Sequence, residues 1–160
     1  MRLRLAPGLS LGVLLVGCQS NLGELPPQVR YGEEACAQCR MLISEARYAA
    51  VLVKVSGDVE KFDDIGCLVR YRARHPEVAK RVWVHDFASD RWLEASAAFF
   101  VHSRELPTPM GSGIVALATS EEAARLGSTA HGNIVPFGSL ASMVVGQAAG
   151  GRPVGISSPQ

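Results

Sequence analysis

The chain predicts an α+β domain made of two small strand–strand–helix–strand modules packed together. Short Val- and Phe-rich segments with turn residues between them read as strands, and only two segments carry both a helix cap and a one-sided apolar face. The order strand, strand, helix, strand occurs twice, over 34–95 and again over 96–137. Neither module is large enough to bury a stable core alone, so the two are expected to share one.

Before the modules, residues 1–17 read as a lipoprotein signal peptide. Arg2 and Arg4 precede the short apolar run Leu9 to Val16, and Leu15-Val16-Gly17-Cys18 has the form of a lipobox. Cleavage before Cys18 leaves that cysteine to carry acyl chains, which at about 0.8 kcal/mol per buried CH2 make a lasting tether. Residues 18–33, with Pro26-Pro27, read as the linker lifting the domain off the lipid surface.

In the first module Tyr48 to Val55 is a Val-rich strand, Gly57-Asp58 a hairpin turn and Val59 to Asp63 a second strand. Asp63-Asp64 then caps a helix over Ile65 to Arg74, whose Ile65, Leu68 and Val69 share one face, and His75-Pro76 stops it. Arg81 to Phe87 alternates and closes the module as a strand. In the second, Ala97 to His102 and Gly113 to Ala118 are strands. Thr119-Ser120-Glu121-Glu122 starts a helix that ends near Gly127, and Asn133 to Phe137 is the last strand. Residues 138–160, rich in Gly, Ala, Ser and Pro, read as a flexible tail with a faint apolar island at Ala141 to Val145.

A net charge of +1 offers no basic stripe for phosphates and argues against nucleic acid as a partner. No Ser/His/Asp set, phosphate loop or convincing carboxylate dyad stands out, so catalysis is not expected.

What stands out is Cys36-Ala37-Gln38-Cys39-Arg40-Met41, three sulfur side chains within six residues of a chain with four cysteines and four methionines. Arg40 occupies the place where covalent haem attachment needs His. A zinc site needs four ligands, and no second Cys pair is present. A thioredoxin-type pair sits at a helix start, whereas Met41-Leu42-Ile43 leads towards a strand. A plain disulfide between Cys36 and Cys39 stays open, as does a periplasmic thiol–disulfide oxidoreductase using that pair. Soft-metal binding fits the methionine as well. Cu(I) prefers thiolate and thioether sulfur, and a thioether is not lost to a disulfide. In an extended segment Cys39 and Met41 share a face. Met110, in the predicted bend Thr108 to Gly113, is the second methionine without a helix-face explanation. Cys67 reads as a buried inert thiol, and Trp83 and Trp92 read as packing residues.

These segments, CAQCRMLISEARYAA, FDDIGCLVRY, WVHDFASDRWLEASAAFFV, TPMGSGIVALATSEEAARL and HGNIVPF, resemble in order the NosL-type accessory lipoproteins of nitrous-oxide reductase, over about Glu34 to Phe137. The resemblance implies a periplasmic, non-enzymatic Cu(I) carrier. It would supply the reductase apoprotein by exchange with a membrane ABC-type maturation complex, and would have modules similar to organomercurial lyase. For that lyase's own activity, no paired-thiol-plus-Asp arrangement is evident in the sequence. The implied metal residues are Met41 and Met110, with Cys39 and Cys36. Many relatives carry His where this chain has Ser112, so either a nitrogen ligand comes from His131 first, or from His102 or His85, or the site is all sulfur. Gln19, in place of an inner-membrane-retaining Asp, favours the outer membrane for the anchor.

Overall fold

The computed structural model of the protein describes residues 25–76 and 79–149. The signal peptide, Cys18, the linker up to residue 24 and the tail from residue 150 lie outside the described residues. Two antiparallel sheets with helices make an α+β fold. The first module holds β1 (Ala50–Lys54), β2 (Val59–Phe62), α1 (Ile65–Arg74), β3 (Ala79–His85) and β4 (Trp92–Glu94). The second holds β5 (Phe99–His102), β6 (Ile114–Leu117), α2 (Ser120–Thr129) and β7 (Asn133–Val135), and α3 (Leu140–Ala149) follows it. The strand orders are β2-β1-β3-β4 and β6-β5-β7. Both modules therefore show the strand–strand–helix–strand order, with β4 as an edge strand too short to be read from the sequence.

Register follows from the turns. Gly57, with φ at +95°, takes the left-handed place in the β1–β2 turn, which sets Ala50 opposite Phe62 and Val53 opposite Val59. β2 ends at Phe62, which frees the next two residues from the ladder. Asp64 then caps α1 by accepting from the Gly66 amide at 2.6 Å, while Ile65, Leu68 and Val69 turn inward.

One core cluster joins the modules. Phe62, Ile65 and Leu68 from the first pack in the same cluster as Phe100, Ile114 and Ala116 from the second. Each such side chain stabilises the fold by roughly 1.5–3 kcal/mol through burial. At the seam, Asp86 forms an isolated bridge with Ala116, the Phe87 amide donates to the Ala116 carbonyl at 2.8 Å, and the buried Asp86 carboxylate accepts from the Ala118 amide.

The expectation of a flexible tail is corrected over its first part. Leu140–Ala149 is helical and packs on α1, with Leu140 and Val144 buried in the shared core. The apolar island supplies that inward face. Its Gly- and Ser-rich surroundings concealed the period of a helix held by tertiary contact.

Candidate metal centre

Three chain segments converge on one buried point. The first is the Cys36–Met41 turn. Residues 37–39 form the turn, the Arg40 amide donates to the Cys36 carbonyl at 3.0 Å, and the Cys36 amide donates to the Met41 carbonyl at 2.8 Å. The turn docks on β2 through the Ala37 amide, which donates to the Lys61 carbonyl at 2.8 Å. The Lys61 ammonium in turn donates to the Glu34 carboxylate at 2.7 and 2.8 Å, a pairing that lowers the Glu34 pKa. The second segment is the end of β2, where Asp63 is buried. The third is the first turn of α1, where Cys67 is buried.

One donor atom from each of Cys36, Cys39, Cys67 and Asp63 lies within 4.8 Å of all the others. The Cys39 thiol donates to the Asp63 carboxylate, with sulfur–oxygen distances of 3.4 and 3.5 Å. Cys36 and Cys67 are essentially inaccessible, and Cys39 is half-buried, so the cluster has one sulfur towards solvent. All three are free thiols. The Cys67 thiol donates towards Cys36, and this pulls the Cys36 thiol down to about 6 in spite of its burial. Burial first, with Cys36 and Asp63 adding to it, pushes Cys39 up to about 11. The shared proton drives Cys67 well above the ordinary thiol range. Cys36, close to the positive N-terminal end of α1, is thus the most acidic thiol of the cluster.

Cys67 is buried in the core, as the sequence reading has it, and its thiol also stands beside Cys36, Cys39 and Asp63; the reading of both aspartates as caps is corrected. Asp64 caps the helix, while Asp63, one residue earlier, faces the thiols. The arrangement of paired thiols plus aspartate that the sequence did not reveal is present. The signal for it was the spacing Asp63-x-x-x-Cys67 across a strand end and the next helical turn, which puts both side chains beside whatever covers the helix N-terminus.

The methionines and histidines are placed differently. The segment around Met41 is a turn and not an extended strand, with Arg40 at φ +68°, so alternation does not set Cys39 and Met41 on one face. Met41 is 60% exposed and Met110 38% exposed. The Met110 loop nevertheless reaches the same helix end, since the Met110 amide donates to Asp64 at 3.0 Å. The Asp63–Asp64 pair therefore touches both sulfur-bearing loops. Ser112 is buried and donates to Asp64 at 2.6 Å.

None of the three candidate histidines is in the four-donor cluster. His131 sits against Glu105 at 3.1 Å, on a cavity wall that also holds His102. His85 is buried with both ring nitrogens engaged. Nδ1 lies 2.7 Å from the Asp90 carbonyl, which accepts only, so Nδ1 carries the proton and Nε2 accepts from the Tyr31 hydroxyl at 2.8 Å.

The NosL family profile matches residues 29–145. The crystal structure of the copper chaperone NosL from Shewanella denitrificans superposes with a TM-score of 0.62 at 22% identity, covering 71% of this chain and 93% of that one, a likeness of fold. No protein with a curated description matches. On the strength of the profile match, which takes in both modules and the whole sulfur cluster, the chain belongs to the NosL family.

Proposed function

We propose that this protein is a periplasmic, lipid-anchored Cu(I) carrier, not an enzyme, that supplies copper during maturation of nitrous-oxide reductase. The observation that carries the reading is the cluster of Cys36, Cys39, Cys67 and Asp63, with donor atoms within 4.8 Å of one another. A three-coordinate ion with metal–sulfur bonds of about 2.3 Å wants its sulfurs about 4 Å apart, so the thiols need only a small contraction to close on it. Cu(I) suits them because it is soft and accepts low coordination numbers. Cys36 offers a ready thiolate, and the Cys39 proton already points at an acceptor, Asp63.

The exposed thioethers of Met41 and Met110 suit brief contact with an ion on its way in or out, since they carry no proton and bind Cu(I) less strongly than thiolates. Cys18 as lipid anchor, the outer membrane as its site, and the reductase apoprotein and ABC-type maturation complex as exchange partners belong to this same proposal. They rest on the lipobox and on membership of the family. The organomercurial-lyase likeness of the modules also rests on membership of the family, and their repeated element order is in keeping with it.

The thiol–disulfide alternative is less well served by the same geometry. The sulfur with thiolate character, Cys36, is inaccessible, and the accessible one, Cys39, holds its proton. An attacking thiol needs both properties together.

The deciding experiment is anaerobic Cu(I) titration with X-ray absorption on the parent chain and on a Cys36→Ser/Cys39→Ser/Cys67→Ser variant. One Cu(I) with three sulfur neighbours is expected in the parent, and a loss of affinity of at least a hundredfold in the variant. Equal affinity in the two would falsify the assignment. A Met41→Leu/Met110→Leu variant should still bind and should pass Cu(I) to a competing chelator more slowly.

A further inference from the structure

Beside the sulfur cluster, on the outer side of the Cys36–Met41 turn, lies a cavity of about 670 Å³. Ala37 and Gln38, the two residues between the cysteines, form part of its wall, and Arg40 stands at its edge. The rest of the charged lining comes from Glu34, Glu60, Lys61 and Arg74.

The acids of this lining already have partners. Glu34 accepts from Lys61 at 2.7 Å, and Glu60 pairs with Lys54 at 3.1 Å and accepts from the Tyr71 hydroxyl. Two guanidinium groups are left over. Among the described residues neither Arg40 nor Arg74 has a carboxylate partner within ion-pair distance, and both are exposed. His75, stacked on Tyr71, lines the same wall.

Arg40 also holds φ at +68°, where a side chain costs roughly 1–2 kcal/mol relative to glycine. That backbone conformation belongs to the turn and sets the Arg40 guanidinium on the cavity one residue from Cys39.

We infer that this cavity is the docking site for a carboxylate-bearing segment of the protein that exchanges metal with the cluster, gripped by Arg40 and Arg74. The inference rests on the Cu(I)-carrier reading for its purpose, though not for its chemistry. Guanidinium groups take carboxylates in two-point hydrogen bonds, and unpaired cations beside neutralised acids leave a positive field that steers such a partner in. Handover requires the partner's ligand to come within bonding distance of the ion. A segment seated here lies against the turn that carries Cys36 and Cys39, the latter being the half-buried thiol of the cluster. The charged and polar walls suit an extended acidic strand better than an apolar small molecule.

The test uses hexaglutamate as probe, the metal-free full-length protein and 15N-detected titration. Saturable shifts at the Arg40 and Arg74 side-chain Nε–H groups and at the Gln38 amide are expected, weakening as salt rises. Arg40→Gln/Arg74→Gln should raise the dissociation constant at least tenfold while leaving Cu(I) affinity within twofold. Arg74→Glu alone, which leaves the turn intact, should also abolish saturation. Shifts unchanged in these variants, or centred on Arg70 and Arg72 instead, overturn the proposal. Binding to phosphatidylglycerol vesicles without binding to hexaglutamate overturns it too, because the wall would then be reading lipid phosphates. The Cys36→Ser/Cys39→Ser/Cys67→Ser variant should keep hexaglutamate binding, so a failed metal assignment and a failed docking site give different results.

Discussion

The Ser112 hydroxyl donates to the Asp64 carboxylate at 2.6 Å, one of the contacts that fasten the Met110 loop to the N-cap of α1. The same carboxylate accepts from the Gly66 and Met110 amides at 2.6 and 3.0 Å. It is fully buried, so each of these donors compensates part of the cost of keeping a carboxylate out of water. Ser112→Ala removes one of them and should destabilise the protein by about 1–3 kcal/mol. Urea denaturation under reducing conditions measures it. An unchanged midpoint would show that water or another donor replaces the hydroxyl.

Gly66 offers a test in which the sign is informative. In an ordinary helix, Gly→Ala stabilises by up to about 1 kcal/mol. Here a Cβ at Gly66 would stand 2.3 Å from the Ser112 Cβ, a part of the chain that cannot swing aside. Gly66→Ala is therefore expected to destabilise, by about 1–3 kcal/mol, and to loosen the Met110 loop. A rise in Tm would mean that the loop does not sit on the helix end.

The cluster makes a prediction about protons. With Cys36 pulled down to about 6 and Cys39 pushed up to about 11, the metal-free protein should gain one thiolate absorbance near 240 nm as pH rises through 6, and the second only in strongly alkaline solution. Cys67→Ala removes the donor to Cys36, and the early step should move towards the ordinary thiol range. Two thiolates already formed at pH 8, or none, would contradict this arrangement.

His85 links stability to pH. Burial depresses its pKa in the folded protein, while the unfolded chain titrates near 6.5. Between those two values the unfolded state binds more protons, so stability is present above about 6.5 and is lost as pH falls through this window. Tyr31 adds to the effect, because a protonated Nε2 cannot accept its hydroxyl. The Tm should fall from pH 7 to pH 5, and His85→Gln should flatten that slope. A slope as steep in the variant would place the responsible group elsewhere.

Much of the fold was legible because it is local. The α1 span Ile65–Arg74, its Asp64 cap and the β1–β2 hairpin depend on cap chemistry, a 3.6-residue apolar period and a left-handed glycine, all carried by neighbouring residues. β4, three residues long, has no period to detect. In the site, Cys36 and Cys39 were legible because the two cysteines lie within one turn. Met110 was noticed as unusual, but its link to the same helix end passes through Asp64, 46 residues away in sequence.

Composition and order along the chain were enough to establish an α+β protein with a sulfur-rich segment and a family likeness to match it; that the segment is a turn was not. Which sulfurs meet was decided only by packing. Cys67 joins Cys36 and Cys39 because β2 stops at Phe62 and α1 begins at Ile65, which turns Asp63 and Cys67 together under the docked turn. The contact of Cys67 with Cys36 there lowers one thiol's pKa and raises the other's, while the packing leaves two methionines outside as exposed thioethers. Residue identity supplies the donors, but a coordination geometry is a set of distances between residues remote in sequence, and those distances exist only once the Cys36–Met41 turn has docked on β2 and the start of α1.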